Sequence, residues 1–60
     1  MTPKEWREAA GLTQGDVAKM IGRTKGYVSL LENGVRVPSF SILRAYEEIS
    51  NGSVTTASFQ

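Results

Sequence analysis

The chain contains no histidine and no cysteine. Thiol and imidazole catalysis, disulfide staples and zinc sites built on those ligands are therefore excluded. The carboxylates are scattered. Glu47 and Glu48 are adjacent and diverge around any helix that holds them, so they make no acid–base pair. No glycine-rich phosphate cradle is present. These features argue against an enzyme and give no reason to expect a cofactor or a metal. What remains is hydrogen-bonding chemistry. The stretch LTQGDVAKMIGRTKGYVSLLENG, residues 12–34, carries Gln14, Arg23, Thr24, Lys25, Ser29 and Asn33. Such side chains can grip a polar or anionic surface without breaking bonds in it.

The charge balance bears on what that surface is. Net charge is only +1, from seven basic and six acidic residues, which is weaker than the usual signature of a nucleic-acid binder. Its distribution says more. Between Lys19 and Arg36 lie four basic residues (Lys19, Arg23, Lys25 and Arg36) against one acid, Glu32. The other acids lie mainly at Glu5 and Glu8 and at Glu47 and Glu48. One basic face is expected. No apolar run approaches the roughly 20 residues of a membrane span, and the polar N-terminus does not read as a signal peptide. A cytoplasmic protein is expected, with neither a membrane partner nor a small-molecule ligand. Sixty residues allow one domain, 1–60, whose core is so small that each apolar side chain counts.

Elements that could position these residues are marked by regular punctuation at Gly11, Gly22, Gly34, Pro38 and Asn51-Gly52. In TPKEWREAAG, Thr2 is an N-cap with Pro3 at the first helical position and Glu5 completing a capping box. Trp6, Ala9 and Ala10 fall at helical spacing, and Trp6 is expected in the core. In TQGDVAKMI, Thr13 caps and Asp16 makes the box. Val17, Ala18 and Ile21 form an apolar stripe with Met20 at its flank. Gly15 lowers the intrinsic helix preference by about 1 kcal/mol against alanine, so this helix must rely on packing. In TKGYVSLLEN, Thr24 caps and Gly34 follows as the C-terminal glycine. Val28 and Leu31 face inward; Lys25, Gly26, Ser29 and Leu30 face outward or sideways. In SFSILRAYEEIS, Ser39 caps, and Phe40, Leu43, Tyr46 and Ile49 recur at three-residue steps with Ile42 beside them.

The tail NGSVTTASFQ has two readings. Asn-Gly between β-branched residues signals a hairpin. That hairpin would consume residues that read best as helix. The favoured alternative is that Asn51-Gly52 stops the fourth helix, and Thr55 or Thr56 caps a single turn ending at Phe59.

Two short helices joined at a glycine form the helix-turn-helix plan, whose second helix lies in the DNA major groove. The residue types suit it. Orphan N–H groups at the start of the first helix, with Gln14, can bond a phosphate. Small Ala18 lets the helices approach, and Gly22 permits the positive φ of a short turn. With Trp6-Arg7, Gly11-Leu12-Thr13-Gln14, Ala18, Gly22, Val28-Ser29, Glu32-Asn33-Gly34 and Pro38 at these spacings, residues 3 to about 50 resemble the Cro/repressor helix-turn-helix family of phages and their bacterial relatives. The resemblance implies an all-α, compact, four- to five-helix lambda-repressor-like domain. The helix-turn-helix core is 13–34, and the C-terminal helix and tail, 38–60, form a dimer region. An α+β variant ending in a β-hairpin, as in some Cro proteins, is the alternative.

The resemblance also implies roles. Arg7 pairs with Glu32 beneath the DNA-facing surface. Gln14 and Asn33, with the backbone beyond Gly34, grip phosphates. Arg36 and Arg23 add charge nearby, and Tyr27 either contacts phosphate or covers the helix pair. Base contacts fall to Thr24, Lys25, Gly26, Ser29 and Leu30. Lys25 can donate to guanine, Leu30 can meet a thymine methyl, and Gly26 lets the helix approach closely. The expected function is a sequence-specific, double-stranded-DNA-binding, Cro-like transcriptional repressor. It occludes two half-sites as a weak homodimer, or as a dimer formed on DNA, with Phe40, Val54 and Phe59 as candidate anchors, each of which reads equally well as core. It is either a stand-alone protein or a domain of a longer repressor. The alternative is a protein-binding antitoxin or adaptor module on the same scaffold, since fold alone does not settle function.

Overall fold

A computed structural model describes residues 1–59. The chain runs α1 (Pro3–Ala9), α2 (Gln14–Ile21), α3 (Lys25–Glu32), α4 (Phe40–Ile49) and a closing 3-10 turn (Thr56–Phe59). Each helix begins where its capping residue stops the extended chain. Thr2, Thr13, Thr24 and Ser39 all have extended backbones and accept a hydrogen bond from the N–H three residues on. At Thr2 and Thr13 the partner acids, Glu5 and Asp16, return a bond to the cap's own N–H. Those bonds hold both carboxyls below their ordinary range. They satisfy donors that a helix start otherwise leaves orphaned.

The core is one cluster. Val17 and Ala18 of α2, Val28 and Leu31 of α3, and Ile42 and Tyr46 of α4 meet Val54 from the tail. Trp6, Leu12 and Ile21 pack against it, partly buried. The α2–α3 pair is the most closely packed, because Ala18 at their junction is 3% exposed and small. Gly22 ends α2 at φ 73°, and the Arg23 N–H bonds to the Ala18 carbonyl at 2.8 Å. A β-carbon at that φ would be strained, so the glycine allows the chain to turn in so few residues.

The tail takes the favoured of its two readings. No strand occurs among the described residues, so the hairpin alternative fails. Asn51 and Gly52 do adopt the left-handed conformations a hairpin would use, at φ 55° and 85°. Here they terminate α4, with the Gly52 N–H donating to the Glu47 carbonyl at 2.9 Å. The buried edge of α4 follows a four-residue step rather than the three-residue one. Ile42, Tyr46 and Ser50, four apart, are buried, whereas Phe40 is exposed. Ala9 and Ala10 are likewise exposed. Of the three candidate dimer anchors, Val54 and Phe59 take the core reading instead. Val54 is fully buried, and the Phe59 ring meets Tyr46 edge to face at 5.2 Å. The tail is fastened by Ser50, whose hydroxyl donates to the Tyr46 carbonyl (2.6 Å) and accepts from the Val54 N–H (2.9 Å).

Candidate nucleic-acid interface

The fold uses one end of α3 for anchoring and leaves the other bare. At the C-terminal end, Glu32 is the hub. Arg7 Nε donates to its Oε2 at 2.7 Å and Arg7 Nη2 to its Oε1 at 3.1 Å. The third guanidinium nitrogen, Nη1, donates to the Leu12 carbonyl at 3.1 Å. Gln14 Nε2 also donates to Glu32 Oε1, at 3.1 Å. The Glu32 side chain is 2% exposed and that of Arg7 13%. The pair is therefore shielded and fork-on-fork, the geometry in which a guanidinium binds a carboxylate most strongly. Hydrogen bonding to Glu32 raises the Arg7 pKa above its ordinary value and keeps the charge fixed. One network thus ties α1, the α1–α2 loop, the start of α2 and the end of α3.

Gln14 is part of this network, a role its sequence position did not suggest. One amide hydrogen is committed to Glu32, and the other remains for a group arriving at the start of α2. Tyr46 lies under the same region. Burial pushes its hydroxyl pKa up to about 12, and the hydroxyl has no hydrogen-bonding partner among the described residues.

At the N-terminal end of α3, Thr24, Lys25 and Gly26 are exposed. The Thr24 oxygen accepts from the Tyr27 N–H at 3.2 Å, which leaves its hydroxyl proton to donate outward. A β-carbon built on Gly26 would meet only Thr24 Oγ1, at 4.0 Å. The protein's own packing therefore does not require glycine there. Ser29 is half-buried, and its hydroxyl receives a long 3.4 Å bond from Asn33 Nδ2 one turn on. Leu30 is 39% exposed. Thr24, Lys25, Gly26 and Leu30 thus share a bare edge, with Ser29 beside it.

Arg23, Tyr27 and Arg36 form a second group. The two guanidinium carbons each lie 5.7 Å from the centre of the Tyr27 ring. The stacking links the α2–α3 turn to the segment after α3. Sequence offered a partial signal for this, because Arg23 and Tyr27 are one helical turn apart; Arg36 gave none. Asn33 does not join this group; it faces Ser29 instead.

The helix-turn-helix family pattern matches residues 4–55. This chain belongs to the helix-turn-helix family. A helix-turn-helix domain of this family is a DNA-binding regulatory module and not an enzyme. Its similarity to a prophage transcriptional regulatory protein of Escherichia coli (strain K12) is 32% identity over 50 residues, covering 83% of this chain and 76% of that protein. No solved structure matches the chain. In this helix-turn-helix chain α2 is the supporting helix and α3 the presented one. No helix among the described residues is long and apolar enough to cross a membrane.

Proposed function

We propose that this protein is a sequence-specific transcriptional repressor that reads double-stranded DNA with α3 in the major groove. The observation that carries the reading is the bare edge of Thr24, Lys25, Gly26 and Leu30 on a helix whose far end is locked by Arg7 and Glu32. Lys25 donates to guanine O6 or N7. Thr24 and Ser29 bond either donors or acceptors, Leu30 meets a thymine methyl, and Gly26 allows close approach. Gln14, Arg23, Asn33 and Arg36 surround that edge and meet the phosphates, which set register without reading sequence, while Tyr27 covers the helix pair. The similarity to a prophage regulator supports the same reading. Its place of action is the cytoplasm, on the chromosome.

Repression follows from a dimer that covers two half-sites one helical turn apart, about 34–36 Å. With Val54 and Phe59 committed to the core, Phe40 is the remaining anchor, 74% exposed and flanked by Val37 at 89%. Arg44 lies over the Phe40 ring at 6.0 Å, and Glu47 lines the same recess. A two-fold axis through this patch sets the basic member of each copy against the acidic member of the other. So small a patch gives a weak dimer that DNA completes.

Selecting binding sites from a random DNA library tests both halves. The expected product is a palindromic consensus; recovery of unrelated sequences would remove sequence reading. A Phe40→Asp variant should bind a half-site as before and lose cooperativity on the full palindrome.

A further inference from the structure

Arg23 and Arg36 come from different connections, one before α3 and one after it. Both nonetheless stack on the single ring of Tyr27, each at 5.7 Å. With Val37 and Ser39 the three line one open recess of about 510 Å³. Neither arginine is paired with a carboxylate among the described residues, where the ion pair joins Arg7 to Glu32. Ser39 is already committed, its hydroxyl accepting from the Ile42 N–H at 3.4 Å. The contrast with Arg44 is instructive: that arginine also stacks on a ring, but Glu47 lines its recess. At Tyr27 two cations are gathered on one aromatic ring with no carboxylate beside them among the described residues. The ring quadrupole offsets part of their mutual repulsion, and an anion between them would remove the rest.

The geometry points to a clamp in which Arg23 and Arg36 close on one shared backbone phosphate of double-stranded DNA, with Tyr27 as the positioning residue that holds both guanidiniums. This rests on the DNA-binding reading and adds two things to it. The two arginines act on the same phosphate rather than on separate ones. Tyr27 contributes its ring, not its hydroxyl. A phosphodiester fits because each guanidinium can give paired N–H donors to its oxygens, and because the recess lies against α3, whose first turn is the bare one. The clamp would join the turn before α3 to the segment after it across the bound strand, fixing how far α3 enters the groove.

Salt dependence distinguishes sharing from independence, because the slope of log K against log salt counts neutralised phosphates at about 0.9 each. The measurement uses the full chain and a random-sequence duplex, by anisotropy at several salt concentrations. Arg23→Gln and Arg36→Gln should each weaken binding several-fold and leave the slope unchanged, since the remaining arginine still neutralises the phosphate. The double variant should lower the slope by about 0.9. Slopes lowered by about 0.9 in each single variant and about 1.8 in the double would mean two separate contacts and overturn the clamp. An unchanged slope in the double variant overturns it as well. Tyr27→Phe should bind like the unaltered protein, and Tyr27→Leu several-fold more weakly. Equal losses in both would assign the grip to the hydroxyl and refute the platform. Should Tyr27→Leu not fold, as judged by thermal melting, Tyr27→Phe and the arginine series still decide. If the unaltered protein shows no salt-dependent binding, the DNA reading itself fails, and the clamp with it. Normal binding with additive slopes removes the clamp alone.

Discussion

The two ends of α3 have opposite constructions. At its C-terminus Glu32 receives three side-chain hydrogen bonds, two from Arg7 and one from Gln14, and is almost fully buried. At its N-terminus Thr24, Lys25 and Gly26 meet solvent, and only the Thr24 cap ties the side chains to the backbone. A helix of eight residues is too short to be stable alone. It can present a bare end only if the other end and its inner face are held by the rest of the chain. The lesson is a division of labour along one helix: the polar groups that are buried set its position, and those left exposed are free to act on a partner.

Breaking the fixed end should have the largest effect. Glu32→Ala leaves the Arg7 guanidinium buried without its partner, and a loss of about 3–5 kcal/mol is expected in urea denaturation. In so small a domain that amounts to unfolding at ordinary temperature. Replacing both partners together, Arg7→Met with Glu32→Leu, should recover much of the loss, because no buried charge is then left alone. A double variant as unstable as the single one would show that the pair does more than neutralise itself.

The next effect concerns pH at the same end. Tyr46 is 1% exposed, and its pKa is raised from 10.0 to about 12 chiefly by burial. The unfolded chain therefore releases this proton first. Stability should hold below about pH 10 and decline as pH rises toward the folded value, by up to roughly 3 kcal/mol at a cost of about 1.4 per unit. Tyr46→Phe should abolish that alkaline decline in thermal melts. Because the hydroxyl has no partner among the described residues, the substitution should cost little at neutral pH. An alkaline slope unchanged in Tyr46→Phe would place its origin elsewhere.

At the presented end the effects should fall on binding rather than folding. Lys25→Ala should leave the melting temperature nearly unchanged and lose about 1–3 kcal/mol of discrimination at one base pair. Gln14→Ala should weaken all duplexes alike, as a phosphate contact does. Equal loss on every sequence for Lys25→Ala would remove its base-reading role. The smallest effect expected is a gain. Gly26→Ala places a methyl where only Thr24 Oγ1 stands, at 4.0 Å, so the fold should gain about 0.5–1 kcal/mol. If α3 docks closely against DNA at this point, the same variant binds more weakly while it melts higher. Unchanged affinity would mean the glycine is not there for the approach.

Much of this contrast was legible in the sequence because it rests on local signals. A Thr or Ser followed by its acid or its helix reports a cap wherever it occurs, and the four caps at Thr2, Thr13, Thr24 and Ser39 were read that way. The Val28–Leu31 inner edge of α3 was legible from spacing, so its outer edge was too. What stayed hidden depends on the third dimension. The three-step series Phe40, Leu43, Tyr46, Ile49 and the four-step series Ile42, Tyr46, Ser50 share a residue, and only the position of α2 decides which one is buried. Asn51-Gly52 supplies the same positive φ whether it reverses a strand or stops a helix, so its identity could not choose between them. Ser50 gave no sign that it would hold Val54, because a buried serine with its bonds satisfied looks like any loop serine in sequence. The bond from Gln14 to Glu32 and the stacking of Arg36 on Tyr27 join residues far apart in the chain or across a loop, where no periodicity carries information.

The central claim is that the edge of α3 from Thr24 to Leu30 is what meets DNA. The most direct measurement is amide chemical-shift mapping by NMR as a selected duplex is added to the full chain. The changes should concentrate on residues 24–30, on Gln14 and on Arg36, while the amides of α1 and of the closing turn stay nearly still. Changes centred on Val37, Phe40 and Arg44, with residues 24–30 unmoved, would contradict it.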